Sequence, residues 1–90
     1  MTVLLEGAVL KSKEALHETL ACALHLPPWY GGNLDALFDC LTDLSQETTL
    51  HLRHPEVLEQ NLGPYVQRLI QMLQQAQRES KYFQLVLSSN

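Results

Sequence analysis

Three short segments with strand chemistry, residues 2–5, Thr48–Arg53 and residues 83–87, are held apart by stretches whose apolar residues recur at helical spacing. This separation constrains the fold more than any other feature. Antiparallel neighbours need only a tight turn between them, whereas parallel neighbours need a crossover of a dozen or more residues. The expected fold class is therefore α/β, a three-stranded parallel sheet packed against helices. Ninety residues with no repeat, low-complexity tract or linker read as a single domain over 1–90, enough for one modest core and one site or surface.

The segments between the strands define their own ends. Leu16, Leu20, Ala23 and Leu24 predict a helix over residues 13–26, opened by Ser12 as its cap and stopped by Pro27-Pro28. Gly31-Gly32 let the chain turn, and Asn33 offers a side-chain oxygen to the free amides of a second helix, over residues 34–44. At about 100° per residue, Leu34, Leu37, Leu41 and Leu44 form one stripe, bordered by Phe38 and Cys40. Pro55 suits the first position of a short helical turn. Gly63-Pro64 opens the longest helix, with Val66, Leu69, Ile70, Leu73 and Ala76 inward, and residues 83–87 read as a buried strand.

Charge narrows the function. The net charge is −4, and no Lys or Arg lies between Lys13 and Arg53, an interval that holds Glu14, Glu18, Asp35, Asp39, Asp43 and Glu47. Nucleic acid and anionic membranes select for clustered cations, so neither is expected as a direct partner; a basic protein is. Apolar runs are far below the roughly 20 residues of a membrane helix. The first residues lack a basic stretch and a signal-like core, so a cytoplasmic location is expected. Cys22 and Cys40 are expected to be buried free thiols in that compartment.

No catalytic constellation emerges. His17, His25, His51 and His54 are scattered, with no zinc-type spacing, and are expected to be solvated or hydrogen-bonded surface residues. Cys40 borders an apolar stripe, which favours a core thiol over a nucleophile. Gly31-Gly32 lack the Lys and Ser/Thr of a phosphate loop. The chain therefore reads as a non-enzyme without cofactor or metal.

One feature breaks a local rule. Asp35, Asp39 and Asp43 fall at four-residue intervals within about 80° of one helix face, with Thr42 beside them. Like charges at that spacing repel by a few tenths of a kcal/mol, and Asp43 also opposes the helix dipole. Conflicts between local rules and sequence concentrate at functional sites. A plain solvated face and a carboxylate-held divalent cation are the competing readings, the latter short of convergent ligands on one helix. Trp29 and Tyr30, on the loop just before, are of the residue types that dominate protein interfaces. Aromatic anchors beside an acidic row suit docking into a positively charged cleft.

The run Leu26-Pro27, Tyr30-Gly31, Asn33 to Leu37 and Asp39 to Thr42 resembles the central motif of the barstar family, inhibitors of barnase-type bacterial ribonucleases. Leu16-His17, Thr19-Leu20 and Val86 to Ser88 extend the resemblance more weakly over the chain. It implies a small α/β fold with a three-stranded parallel sheet, and stoichiometric, non-catalytic inhibition of a basic secreted ribonuclease by a chain monomeric when free, in a 1:1 complex. By position, Asp39 would be the central phosphate mimic and Asp35 its neighbour. Trp29 would stand for a stacking tyrosine, Phe38 for a tryptophan, with Thr42 at the rim and Glu79 as a further acidic contact. With Tyr30, Asn33 and Asp43, these form the expected partner-binding set.

Departures fall on the same face: Gln75 replaces a glutamate, Asp43 and Leu44 a glycine and a tryptophan, and Gly32 a glutamate, while the cysteine expected before the last strand is absent. The centre is kept and the rim altered. The alternative reading is a barstar-like immunity or interaction module whose basic partner is a different toxin or a non-nuclease regulator.

Overall fold

A computed structural model of the chain describes residues 1–89. The elements run β1 (Thr2–Glu6), a 3-10 turn (Gly7–Val9), α1 (Lys13–Ala23), α2 (Leu34–Thr42), β2 (Thr48–Arg53), α3 (Pro55–Leu62), α4 (Tyr65–Glu79) and β3 (Phe83–Ser88). The three strands form one sheet in the order β1-β2-β3, both pairings parallel, as the spacing of the strand segments predicts. No helix is long and apolar enough to cross a membrane among the described residues.

Register sorts the two faces of the sheet. Val3, Leu50 and Leu85 form one row of the inner face, and Leu5 and Leu52 belong to the next. These meet the apolar stripes of the helices: Leu16 and Leu20 of α1, Leu37 and Leu41 of α2, and Leu69 and Leu73 of α4 are all shielded from solvent. Each such leucine contributes roughly 1.5–3 kcal/mol by leaving water. α2 packs on α4, α3 on the 3-10 turn and α4, and α4 on β3.

The opposite face departs from expectation. A parallel sheet is usually covered on both sides, but here Leu4, His51 and Val86 form a cross-strand row on the outer face, with Leu4 and Val86 exposed. β3 is thus not the buried strand its composition predicts: Phe83 is buried, whereas Gln84, Val86 and Leu87 are exposed. It is an edge strand with its inner row at the rim of the core, so apolar composition overstates its burial.

Two helices end earlier than predicted. α2 stops at Thr42, with Asp43 as its C-cap. α1 stops at Ala23, short of Pro27-Pro28, because the chain reverses hand first. His25 sits at φ 54°, its N–H donating to the Cys22 carbonyl, while the Leu26 N–H donates to Ala21 at 2.9 Å. This is the glycine-type C-terminal lock with a histidine in the left-handed position. The left-handed backbone costs a non-glycine residue about 1–2 kcal/mol, and glycine's extra freedom costs about 0.5–1. His25→Gly is therefore expected to stabilise the fold by about 0.5–1 kcal/mol. A urea midpoint that does not rise would show that the His25 side chain offsets its backbone strain. The remaining predicted boundaries hold closely: Pro55 opens α3, though as a helix of 8 residues rather than a single turn, and Gly63, at φ 73°, lets the chain reverse before Pro64 caps α4. Of the residues predicted to face inward on α4, Ile70 is only half-buried.

Candidate functional site

The site grows from the way α2 is fixed. Gly32 turns the chain at φ 68°, a conformation costly for a residue with a Cβ, and Asn33 follows in extended geometry, its Oδ1 accepting the Ala36 N–H at 2.8 Å. Leu37 and Leu41 are fully buried; Leu34, Phe38, Cys40 and Leu44 are half-buried beside them. Burying that stripe leaves Asp35, Asp39 and Asp43 all exposed on the other face. The two salt bridges among the described residues both involve Glu6, with Arg53 and His54, so none neutralises the aspartates. No basic residue sits in the last turn of α2 either. Thr42 is turned inward along its own helix, its hydroxyl donating to the carbonyls of Phe38 (3.0 Å) and Asp39 (3.2 Å).

The loop between α1 and α2 presents one aromatic and anchors the next. Trp29 is 82% exposed. Tyr30 closes a turn onto Pro27 and points its hydroxyl inward, 2.5 Å from His17 Nδ1. On its far side, His17 Nε2 lies 2.7 Å from the Tyr65 hydroxyl, at the start of α4. The neutral imidazole offers one donor and one acceptor, so one tyrosine donates to the ring and the other accepts from it. Burial pulls the His17 pKa down from its ordinary value, and it pushes Tyr30 up to about 12, helped by Tyr65 and Cys40. Burial also raises Tyr65, against the lowering effect of Arg68. Lys13 lies 4.5 Å above the Tyr65 ring. One buried histidine thereby ties the loop to both α1 and α4.

His17 thus corrects the expectation of surface histidines. The signal was present, since position 17 shares the stripe of Leu20 and Leu24 at i, i+3 and i+7. Cys22 is corrected in the opposite sense: it is a free, exposed thiol, about 200° around α1 from Leu20. Cys40 is free and half-buried; burial first, then the charges of Asp39 and Asp43, push its thiol up, away from the reactive thiolate.

Between the loop and α2 lie two hollows. The larger, about 530 Å³, is lined by Trp29, Asp39, Thr42 and Asp43 together with Leu24 to Pro27, Cys40 and Leu44. The smaller, about 160 Å³, is lined by Trp29, Tyr30, Asp39 and their neighbours. Pro27, Trp29, Asp39 and Cys40 line both. Asn33, Asp35, Phe38 and Glu79 line neither. Asn33 is committed to its cap and Phe38 to the core. Glu79 ends α4 exposed, accepting from Gln75 Nε2 at 2.6 Å, so the residue that departs from the resemblance at position 75 holds the acid retained at 79. Sequence reasoning missed His25 as a wall of the larger hollow.

The family model described as Barstar (barnase inhibitor) matches residues 1–88. The chain is also similar to a protein of Bacillus subtilis (strain 168) named "Putative ribonuclease inhibitor YrdF", with 38% identity over 80 residues, covering 88% of each chain.

Proposed function

The chain belongs to the barstar family, and from that premise we propose that it is a stoichiometric, non-catalytic inhibitor of a small, basic, secreted bacterial ribonuclease. It acts in the cytoplasm of the producing cell, as an immunity protein, in a 1:1 complex. The observation that carries this reading is the row Asp35, Asp39 and Asp43, exposed and without a salt-bridge partner among the described residues, near an exposed Trp29. A ribonuclease cleft must gather cations to hold phosphates. Carboxylates held on a rigid helix imitate those phosphates through charge-assisted hydrogen bonds. Repulsion stored along α2 is relieved when that cleft closes over it.

The partner-binding set comprises Trp29, Tyr30, Asn33, Asp35, Phe38, Asp39, Thr42, Asp43 and Glu79, in different roles. Trp29, Asp39 and Asp43 make contact directly, with Asp35 and Glu79 extending the acidic surface. Asn33, Phe38, Thr42 and the Tyr30 hydroxyl hold the helix and loop in place, as their internal bonds and packing support. Two further observations favour inhibition over catalysis: both ring nitrogens of His17 are occupied by tyrosines, and the Cys40 thiol is pushed away from ionisation.

Titration against a panel of small basic microbial ribonucleases tests the reading. At least one should be inhibited at 1:1 stoichiometry, and inhibition should weaken with salt mainly through slower association, by about tenfold or more between low and high ionic strength. No inhibition of any enzyme at micromolar concentration overturns it.

A further inference from the structure

The helices bury the inner rows of the sheet and leave its outer face open. Register sorts that face into three cross-strand rows: Thr2, Thr49 and Gln84; Leu4, His51 and Val86; Glu6, Arg53 and Ser88. The middle row is apolar at both ends, with Leu4 57% and Val86 42% exposed. His51 fills its centre with a ring edge already out of water, since its Nε2 is buried without a hydrogen-bond partner among the described residues. The last row holds opposite charges loosely. Arg53 Nη1 stands 3.6 Å from Glu6 Oε1, beyond hydrogen-bond reach, while Glu6 Oε2 is taken by His54 Nδ1 at 2.7 Å and the Ala8 N–H at 3.1 Å. Glu6 is thus fixed by one oxygen, and the other oxygen and the guanidinium keep room for a second ion pair.

We propose that a second copy of the chain docks on this face, in a weak isologous dimer whose twofold axis runs along the strands, midway between β1 and β2. Such an axis exchanges the two strands. It lays Glu6 over the second copy's Arg53 and Arg53 over the second copy's Glu6, and it sets Leu4 against the second copy's His51 in both directions. Val86 then flanks the second copy's Leu4 at the free edge of β1. An axis along β2 itself would set Arg53 against Arg53, which like-charge repulsion disfavours. Charge complementarity selects the occupant. The face carries one anion and one cation side by side, and a surface that matches it must carry the same two in exchanged order, which the chain itself supplies. A partner charged uniformly would satisfy one and repel the other.

Area sets the strength. β2 and β3 are 6 residues long, so three strands about 4.8 Å apart, rising about 3.3 Å per residue, present a face of roughly 300 Å². That is well below the about 800 Å² per partner of a standard stable interface, and it places the dissociation constant at about 0.1–1 mM. The chain is then monomeric at micromolar concentration. Because the helices pack on the inner rows, the dimer leaves the aspartate face of α2 open in each copy.

Sedimentation velocity of the full chain from about 10 µM to about 1 mM tests the dimer, with a sedimentation coefficient expected to rise toward that of two copies at the upper end. Leu4→Arg should weaken association about tenfold or more. Leu87→Arg adds the same charge to an exposed leucine that the register places with Leu52 on the inner side, and should leave association within about twofold. Arg53→Glu brings carboxylates together across the twofold axis and should weaken association about tenfold, whereas Arg78→Glu, an equal change of charge on α4, should not. Circular dichroism confirms that all four variants remain folded. A monomer throughout the range, equal losses in Leu4→Arg and Leu87→Arg, or association that Arg53→Glu leaves intact overturns the proposal. A different protein seated on this face of a chain that stays monomeric overturns it as well.

Discussion

Asp39→Ala is expected to lower affinity for a ribonuclease that the chain inhibits by about 2–5 kcal/mol, about 30-fold to several thousand-fold. The reason is position. Asp39 lines both hollows, as does Trp29, so a partner that fills them would desolvate its carboxylate. Truncating one member of a hydrogen-bonded charge pair there strands the partner's cations in a dry interface, and most of the loss comes from that stranding. Glu79→Ala is the matched comparison. Glu79 is exposed at the end of α4 and already bonded to Gln75, so its removal should cost about 1 kcal/mol or less. Inhibition constants for the two variants decide the matter: equal, small losses would place the interface away from α2.

His17→Ala is expected to destabilise the fold by about 2–4 kcal/mol, from the void left by a buried ring and the loss of hydrogen bonds to two tyrosines. Binding should fall as well, because the loop carrying Trp29 loses its tether one residue away. His17→Ala with unchanged stability and unchanged inhibition would show that the loop is fixed by other contacts. The same residue imposes a pH dependence. Burial lowers the folded-state pKa of His17 beneath the usual 6.5 of an unfolded chain, so the unfolded state binds the proton more readily. The stability conferred by the neutral ring is complete above the unfolded pKa and is lost as pH falls through the folded pKa. Lys13, stacked on Tyr65, and Glu14 and Glu18, which share a surface hollow with His17, are the nearby charges outside the triad. Denaturation midpoints measured from pH 8 downward should fall less in a His17→Gln variant than in the parent chain. A parallel fall in both would assign the dependence to other groups.

Much of α2 was readable in advance because its determinants are local. An N-cap, a leucine stripe and a charged face each follow from residues a few positions apart, and helix geometry converts that spacing into faces. The early end of α1 was not readable. It depends on His25 accepting a left-handed backbone in a place where glycine is the usual signal. The burial of β3 was misread for a related reason. Composition reports how apolar a strand is, but whether it lies at the sheet edge and whether a layer covers its outer face are questions of neighbours.

The sequence by itself determined the α/β class, the parallel sense of the sheet, the order of its elements and the exposed aspartate face. Each of these follows from periodicity and from connection length, which are properties of the chain taken one segment at a time. Only the tertiary structure decided that His17 joins Tyr30 to Tyr65, residues 13 and 48 positions away from it. It also decided that Trp29, Asp39 and Asp43 line one hollow while Asp35 stands outside it. Those groupings come from where the loop is tethered against α1 and α4, and no local pattern encodes a distance between segments that meet only when the core closes.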